Sequence, residues 1–497
     1  MSEHSSSPSA YIAAEKINYG PGTDIQSVDP YTGEMLWSSS APTADIIRSA
    51  ICESKAAFES WSSRSLDKRI EVATNFTKLV QRDKEKLARL VATEAGKPLW
   101  ESRIEVNSLI TKLEASVDAY SKRCAESGRT VNGLQSRTRF RPHGLVVVLG
   151  PYNFPLSMAN GHIMPALIAG NSVVFKPSEL TSLCGMAVAQ LWSEAGLPPG
   201  VMSCVTGGSD VGSMLIQSRD VDGVFFVGSH SAGMSILEST AANPEKIVAV
   251  EMGGNSPLLI EDFDEKDLRS VLSVIIHSAF ISSGQRCSAA RRLLINNKHA
   301  DLAIQIASVL PKVRIGHYKE DPEPFYGPMI RPGTARRALE FAQKLEEGGA
   351  VYLQRPTLSG PYGTMLSPGL IDVSQCTSKI DEELFGPILQ LEFYDTFEAG
   401  IRAAASTKFG LAAGIVTREY EKYHTFSSRV KAGIINWNQQ LTGATTFAPF
   451  GGVKHSGNYR PAGYLSADYC SYATASFEVE ADSIPAVNTP GLSVLNS

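Results

Sequence analysis

This chain of 497 residues has few of the features that would fix its class at a glance. Its seven cysteines, at 52, 124, 184, 204, 287, 376 and 470, include no CxxC pair and are odd in number. That pattern speaks against a disulfide framework and for a reducing compartment, with the cytoplasm as the expectation. No stretch approaches the ~18 consecutive apolar residues of a membrane span, and the start, MSEHSSSPSA, lacks the basic and apolar regions of a signal peptide. No cationic excess exists either: 46 Lys and Arg stand against 51 Asp and Glu, a net charge of −5, so nucleic acid is not the expected partner. Nine histidines and the cysteines show no zinc-like spacing, and no metal is expected.

What is present is an ordinary globular composition in a chain too long for one core, so two or three domains are expected. Apolar residues recur at helical spacing over Ile46–Trp61, over Ile70–Val91 and through Val106, Leu109, Ile110, Leu113 and Val117. From Leu145 the texture changes to short branched runs, LVVVL, SVVF, VMSCV, GVFFVG and KIVAVE, each separated by a helix length. Runs buried on both faces with helical crossovers predict a parallel sheet with a ligand site outside its carboxyl edge. A second series predicts helices over 265–282, 333–347 and 397–406, with strands RRLLI, LAAGIV and AGIINW. The segments 124–142 and 456–479 lack helical periodicity and are expected as outlying strands, and the end from Ser483 as a loose tail.

Several short motifs hold residues that packing alone does not demand. Gly228, Ser229 and Gly233 of VGSHSAG follow a predicted strand and open a helix, where main-chain N–H groups face an anion; an ordinary turn is the competing explanation. Lys176 and Glu179 of FKPSE close another strand; a capping carboxylate beside a solvated cation explains them as well as a ribose site does. A carboxylate on the ribose would favour NAD over NADP. Cys287 sits between Gly284-Gln285 and small residues instead of large apolar ones, with Arg286 beside it as a cation able to lower its pKa.

Taken in order, GPYNFP, FKPSE, VGSHSAG, EMGGN, GQRC, EELFGP and NWN…PFGG resemble the aldehyde dehydrogenase superfamily over about 28–479. The resemblance implies an α/β fold with two parallel-sheet domains, one Rossmann-like for the cofactor and one catalytic, plus a small β flap for oligomerisation. The corresponding boundaries are 10–122 and 143–253 for the cofactor, 254–455 for catalysis, 123–142 and 456–482 for the flap, and 483–497 for the tail. It further implies Cys287 as nucleophile, Asn153 as oxyanion donor, Glu251 as general base for a hydrolytic, non-acyl-transferring reaction, and Glu383 and Phe385 at the nicotinamide end of NAD. Lys176, Glu179, Gly208, Gly228, Ser229 and Gly233 would hold the rest of the cofactor.

Two positions depart from the family's commonest pattern, Tyr152 and Asn255, and the turn Gly207-Gly208-Gly212 is one residue short. The loops GPYNFPLSMANGHIMPALIAGN, NWNQQLTGATTFAPFGGVKHSGNYRPAGY and SADYCSYATASFE resemble the bacterial branch that acts on succinylglutamate semialdehyde in arginine catabolism. That acidic aldehyde needs cationic or amide anchors, for which Arg460 leads, with Asn160, His162 and His455 behind it, although packing is the simpler explanation for both histidines. A homodimer or dimer of dimers is the expected assembly. Another semialdehyde or aliphatic aldehyde, or a scaffold without turnover, would be the alternatives.

Overall fold

In the computed structural model, residues 8–131, 134–376, 379–479 and 490–491 are described. The first branched runs form a seven-stranded sheet in the order Ile247–Met252, Gly223–Gly228, Leu145–Leu149, Ser172–Lys176, Met202–Val205, Ala10–Ile12 and Glu15–Ile17. The first five are parallel and the last two form an antiparallel hairpin at the edge. Helices cover both faces, which explains why Leu145, Val146, Val147, Val148, Val173 and Val174 are buried without alternation.

A second seven-stranded sheet runs Val351–Gln354, Gly369–Asp372, Ile388–Tyr394, Ala290–Asn296, Ser256–Ile260, Ala412–Val416 and Ile434–Trp437. All of its pairs are parallel except the one at the Val351–Gln354 edge. Four of its strands, SPLLI, VYLQ, GLID and ILQLEFY, are absent from the periodicity reading; they are short or carry proline or polar residues. The outlying segments pair as foreseen: Leu134–Pro142 lies antiparallel between Ser471–Glu478 and Ser127–Val131. The tail from Ser483 lies outside the described residues except for 490–491.

Two helical expectations need correction. The periodic stretch Ile70–Val91 is two helices, Leu66–Arg82 and Lys84–Ala95, broken at Asp83, whose carboxylate is engaged by Arg82. Apolar spacing survives such a break because both helices face the same core. Gly96 then takes the left-handed conformation that ends the second helix, φ 74°, as the Gly-Lys-Pro stop predicts. The helix placed over 265–282 spans only Leu268–Phe280, and the reason bears on the site.

Candidate active site

The chain after Phe280 does something that no helical pattern signals. Ser282, Ser283 and Gly284 take φ of 56°, 56° and 67° in succession. Two consecutive non-glycine residues in the left-handed region cost about 1 kcal/mol or more each and persist only where surroundings hold them. Here the Ser283 hydroxyl donates to the Gly327 carbonyl (2.6 Å), the Ser282 hydroxyl donates to the buried Glu101 carboxylate, and Arg291 donates to the Gly284 carbonyl. Glycine is required at 284, where a Cβ would lie 2.3 Å from the Gly386 carbonyl oxygen. The turn ends the helix and delivers Cys287 to a cavity wall.

That cavity, of about 940 Å³, lies along the carboxyl edges of the first sheet and reaches the second. Each strand end contributes to it: Leu149 is followed by Tyr152 and Asn153, Lys176 by Ser178 and Glu179, Gly228 by Ser229, and Glu251 closes the series. Parallel strands point every carboxyl end the same way, so motifs far apart in sequence become neighbours. The opposite wall comes from Glu383 and Phe385 and from Arg337, Glu340 and Lys344 on the helix Pro332–Glu347.

Cys287, Asn153 and Glu251 all line this cavity. The Asn153 amide donates to the Gln285 carbonyl at 2.9 Å, which orients it and leaves its second N–H uncommitted. Burial, then the nearby Glu383 and Glu251 carboxylates, push the Cys287 thiol up to about 12. Arg286 opposes this only weakly: its guanidinium is spent on Glu101 (2.9 Å), the Thr442 carbonyl (3.0 Å) and the Phe154 ring face. Arg286 thus lowers the thiol pKa as expected, but burial and the two carboxylates outweigh it.

Burial likewise raises Glu251 to about 8, against the opposing pull of the Ala462 N–H and the Lys112 cation. Its Oε1 accepts from that N–H at 3.1 Å, and its Oε2 is buried with no hydrogen-bond partner among the described residues. A carboxyl with one free oxygen and a pKa near neutrality is suited to accept a proton from a thiol or a water. Glu383 is pushed up to about 7 by burial, offset by Arg291 and the Gly254 N–H. It fits only because residue 253 is glycine: a Cβ there would come within 1.8 Å of its carboxylate.

Of the proposed cofactor residues, Lys176, Glu179, Gly228, Ser229, Glu383 and Phe385 line the cavity, whereas Gly208 and Gly233 do not. Lys176 is buried and donates to the Gly207 and Pro177 carbonyls at 2.6 and 2.9 Å, so it braces the glycine turn as well as facing the cavity. Glu179 lines the cavity beside it, and Gly208 precedes the helix Ser209–Gln217. Ser229 caps the helix His230–Thr240, accepting from the Ala232 N–H, while Gly233 lets that helix pack on Met252, where a Cβ would lie 2.4 Å from the sulfur. Gly233 is thus explained by packing. A cavity of this size lined by a lysine, a carboxylate, a helix N-terminus and a thiol has the chemistry for a dinucleotide.

The substrate candidates fare differently, and none of the four lines this cavity. Arg460 points away, donating to the Val248 carbonyl at 3.3 Å. Asn160 and His162 face the core side of the helix Ser157–Ala169: Asn160 accepts from the Trp192 indole at 3.0 Å, and His162 Nδ1 pairs with the Tyr469 hydroxyl at 2.8 Å. Their helix is apolar around its whole circumference, so sequence proximity to Asn153 did not predict direction. His455 stacks on His230 with centroids 4.8 Å apart. Sequence reasoning missed Arg291, a buried guanidinium whose Nε and Nη1 have no hydrogen-bond partner among the described residues, and Lys112. Lys112 follows buried Glu105 and Leu109 at helical spacing, a signal that was available.

The aldehyde dehydrogenase family model matches residues 18–474. The chain belongs to the aldehyde dehydrogenase family. Among curated relatives it is 41% identical over 484 residues to N-succinylglutamate 5-semialdehyde dehydrogenase of Photorhabdus laumondii, covering 97% of this chain and 98% of the relative. It is 42% identical to the enzyme of that name from Pseudomonas fluorescens, covering 97% and 99%. Among solved structures it is similar to an indole-3-acetaldehyde dehydrogenase in complex with NAD+, with TM-score 0.88 and 29% identity over 95% of this chain and 96% of that one. A KauB aldehyde dehydrogenase of Pseudomonas aeruginosa gives TM-score 0.89 and 29% identity over 95% and 96%. The fold is accordingly the aldehyde dehydrogenase fold, two mostly parallel seven-stranded sheets with small antiparallel sheets. As an aldehyde dehydrogenase family enzyme it acts on an aldehyde with a nicotinamide cofactor. Among the described residues, no helix is long and apolar enough to cross a membrane.

Proposed function

We propose that this enzyme oxidises N-succinylglutamate 5-semialdehyde to N-succinylglutamate with NAD, through a thiohemiacetal on Cys287 and a thioester that water hydrolyses. The observation that carries the chemistry is the convergence of Cys287, Asn153 and Glu251 on the cavity that also holds Lys176, Glu179, Glu383 and Phe385. The substrate rests on the two bacterial relatives above 40% identity across almost their whole length, whose printed names carry that activity.

In the first step the Cys287 thiol loses its proton, with Glu251 and its free Oε2 as the candidate acceptor, and the sulfur adds to the aldehyde carbon. The carbonyl oxygen becomes an alkoxide that the uncommitted Asn153 N–H and the Cys287 main-chain N–H receive; one such donor contributes about 3 kcal/mol to the barrier. Lys176 and Glu179 would hold the ribose, the turn at Gly208 and the helix start at Gly228 and Ser229 would face the rest of the dinucleotide, and Glu383 with Phe385 would position its reactive end. When bound there, NAD supplies the acceptor for the hydride. Glu251 would release the thiol's proton to solvent before hydrolysis, then take a proton from water as the hydroxide adds to the thioester carbon, and return it to the sulfur as the C–S bond breaks and the acid departs. A carboxylate in that position favours hydrolysis over transfer of the acyl group to another thiol.

Glu179 on the ribose favours NAD, since it would accept from a free 2′-hydroxyl and repel a 2′-phosphate. We assign residues 10–122 and 143–253 to cofactor binding, 254–455 to catalysis, and the sheet of 123–142 with 456–482 to a homodimeric contact. The test is a panel of aldehydes, each run with NAD and NADP. The succinylated semialdehyde should give the highest kcat/KM, and Cys287→Ala should leave no turnover with any of them. Preference for a neutral aliphatic aldehyde or for glutamate semialdehyde would refute the substrate assignment.

A further inference from the structure

Behind Glu251, on the side away from the cavity, lies a buried polar cluster that the reaction steps above do not use. The Ala462 N–H holds Glu251 Oε1 at 3.1 Å, and the next residue, Gly463, offers its carbonyl to two donors: Lys112 Nζ at 2.8 Å and the Ser466 hydroxyl at 3.0 Å. Ser466 accepts in turn from the Tyr469 hydroxyl at 3.2 Å, whose oxygen meets His162 Nδ1 at 2.8 Å. Lys112 belongs to the helix Leu99–Arg123, is 4% exposed, and has no carboxylate in salt-bridge contact among the described residues. A lysine so placed would normally be replaced by an apolar residue or paired, because an ammonium taken out of water without a counter-charge is costly.

We infer that Lys112 is a positioning residue for the general base: through the Gly463 carbonyl it fixes the Ala462 N–H that orients Glu251, and its ammonium is the cation that favours the carboxylate form used in water activation. This inference rests on the reading of Glu251 as the base.

The surroundings leave Lys112 as the cation that acts on Glu251. The titratable groups facing Glu251 are Cys287 on the cavity side, Tyr469 from the short helix Ser466–Tyr469, and Lys112 from the long helix. Cys287 and Tyr469 are neutral when protonated and can only add negative charge, so Lys112 alone opposes the effect of burial electrostatically. Cys470 and His162 border Lys112; burial holds that thiol protonated and that imidazole neutral, so neither replaces the cation. Burial lowers Lys112 itself to about 8, so its charge acts on Glu251 up to about that pH; with Glu251 needed as its anion, loss of that charge raises its pKa and moves the acid limb of deacylation to higher pH.

The experiment compares Lys112→Gln, which keeps a donor for the Gly463 carbonyl but removes the charge, with Lys112→Arg, which keeps the charge at every accessible pH. Pre-steady-state NADH formation reads acylation, and the pH profile of steady-state turnover reads deacylation. Lys112→Gln should retain a burst of about one NADH per site while its acid limb moves up by about one pH unit, a tenfold loss on that limb. Lys112→Arg should keep the limb at or below the wild-type position. An unshifted limb in Lys112→Gln, or an upward shift in Lys112→Arg, would overturn the inference, and the arginine variant decides the matter alone if the glutamine variant does not fold. Failure of the underlying reading is distinguishable: Glu251→Gln would then turn over at the wild-type rate whatever happens at position 112.

Discussion

The helix Ser157–Ala169 presents two regions of very different character within one turn of each other. Met158 faces the cavity with Asn153, Glu251 and Cys287, where groups sit far from their usual charge preference: a thiol pushed up to about 12 and a carboxyl pushed up to about 8. Asn160 and His162 face the interior, pinned by Trp192 and Tyr469, with the His162 ring tilted against Phe225 and Tyr469. Both regions are buried and polar, and each keeps an unpartnered atom, Glu251 Oε2 and Asn160 Nδ2, but only Glu251 lines the cavity. Burial of a polar residue therefore does not mark a reactive site; an uncommitted atom facing a cavity does.

The sharpest way to break this comparison is at Glu251. Glu251→Gln should leave one burst of NADH and then slow turnover by about 10²-fold or more, because acylation can proceed while water activation cannot. The wild-type enzyme carries a matching pH signature. The base must be ionised, and burial raises its pKa to about 8, so deacylation should be full above that value and fall about tenfold per unit below it. Stopped-flow fluorescence of NADH across pH 6–9 checks both, and sustained wild-type rates in the glutamine variant would remove Glu251 from the mechanism.

The interior side should answer in stability instead. Burial holds His162 neutral, lowering its pKa from 6.5 to about 3. Between these values the unfolded chain binds a proton that the folded chain does not, so stability rises with pH across that window and is lost as pH falls through it. The slope is about 1.4 kcal/mol per pH unit for one such group. His162→Phe should flatten the dependence between pH 4 and 6, measured by urea unfolding at each pH. An unchanged slope would mean that another group carries the acid sensitivity.

How much of this was legible beforehand divides along the same line. The five parallel strands of the first sheet, the Gly96 stop and the outlying antiparallel strands follow from periodicity and turn chemistry, because local sequence decides them. The motif order placed Cys287, Asn153, Glu251, Lys176, Glu179, Glu383 and Phe385 in one cavity, because parallel strands carry their carboxyl ends to a common edge. Direction was the illegible part. A helix apolar all round gives no face to read, so Asn160 and His162 could not be oriented from spacing. The left-handed run at Ser282 and Ser283 depends on Gly327, Glu101 and Arg291, which lie up to 181 residues away. Lys112 was readable as a charge on a buried helical face, but its partner at Gly463 is 351 residues distant.

Arg460 gives the smallest expected effect and the finest test of the comparison. An arginine in a loop flanking the site is the natural anchor for an acidic substrate, and its charge would suit two carboxylates. The guanidinium nevertheless donates to the Val248 carbonyl, on a strand whose other end carries Glu251, and it lies off the cavity wall. Arg460→Ala should therefore change KM for the succinylated semialdehyde by less than about twofold and cost about 1 kcal/mol of stability, the usual contribution of one such hydrogen bond. A selective rise of tenfold or more in KM for acidic over neutral aldehydes would show that the side chain swings to the substrate on binding. Equal small changes for both would fix it as a brace for the strand that holds the base.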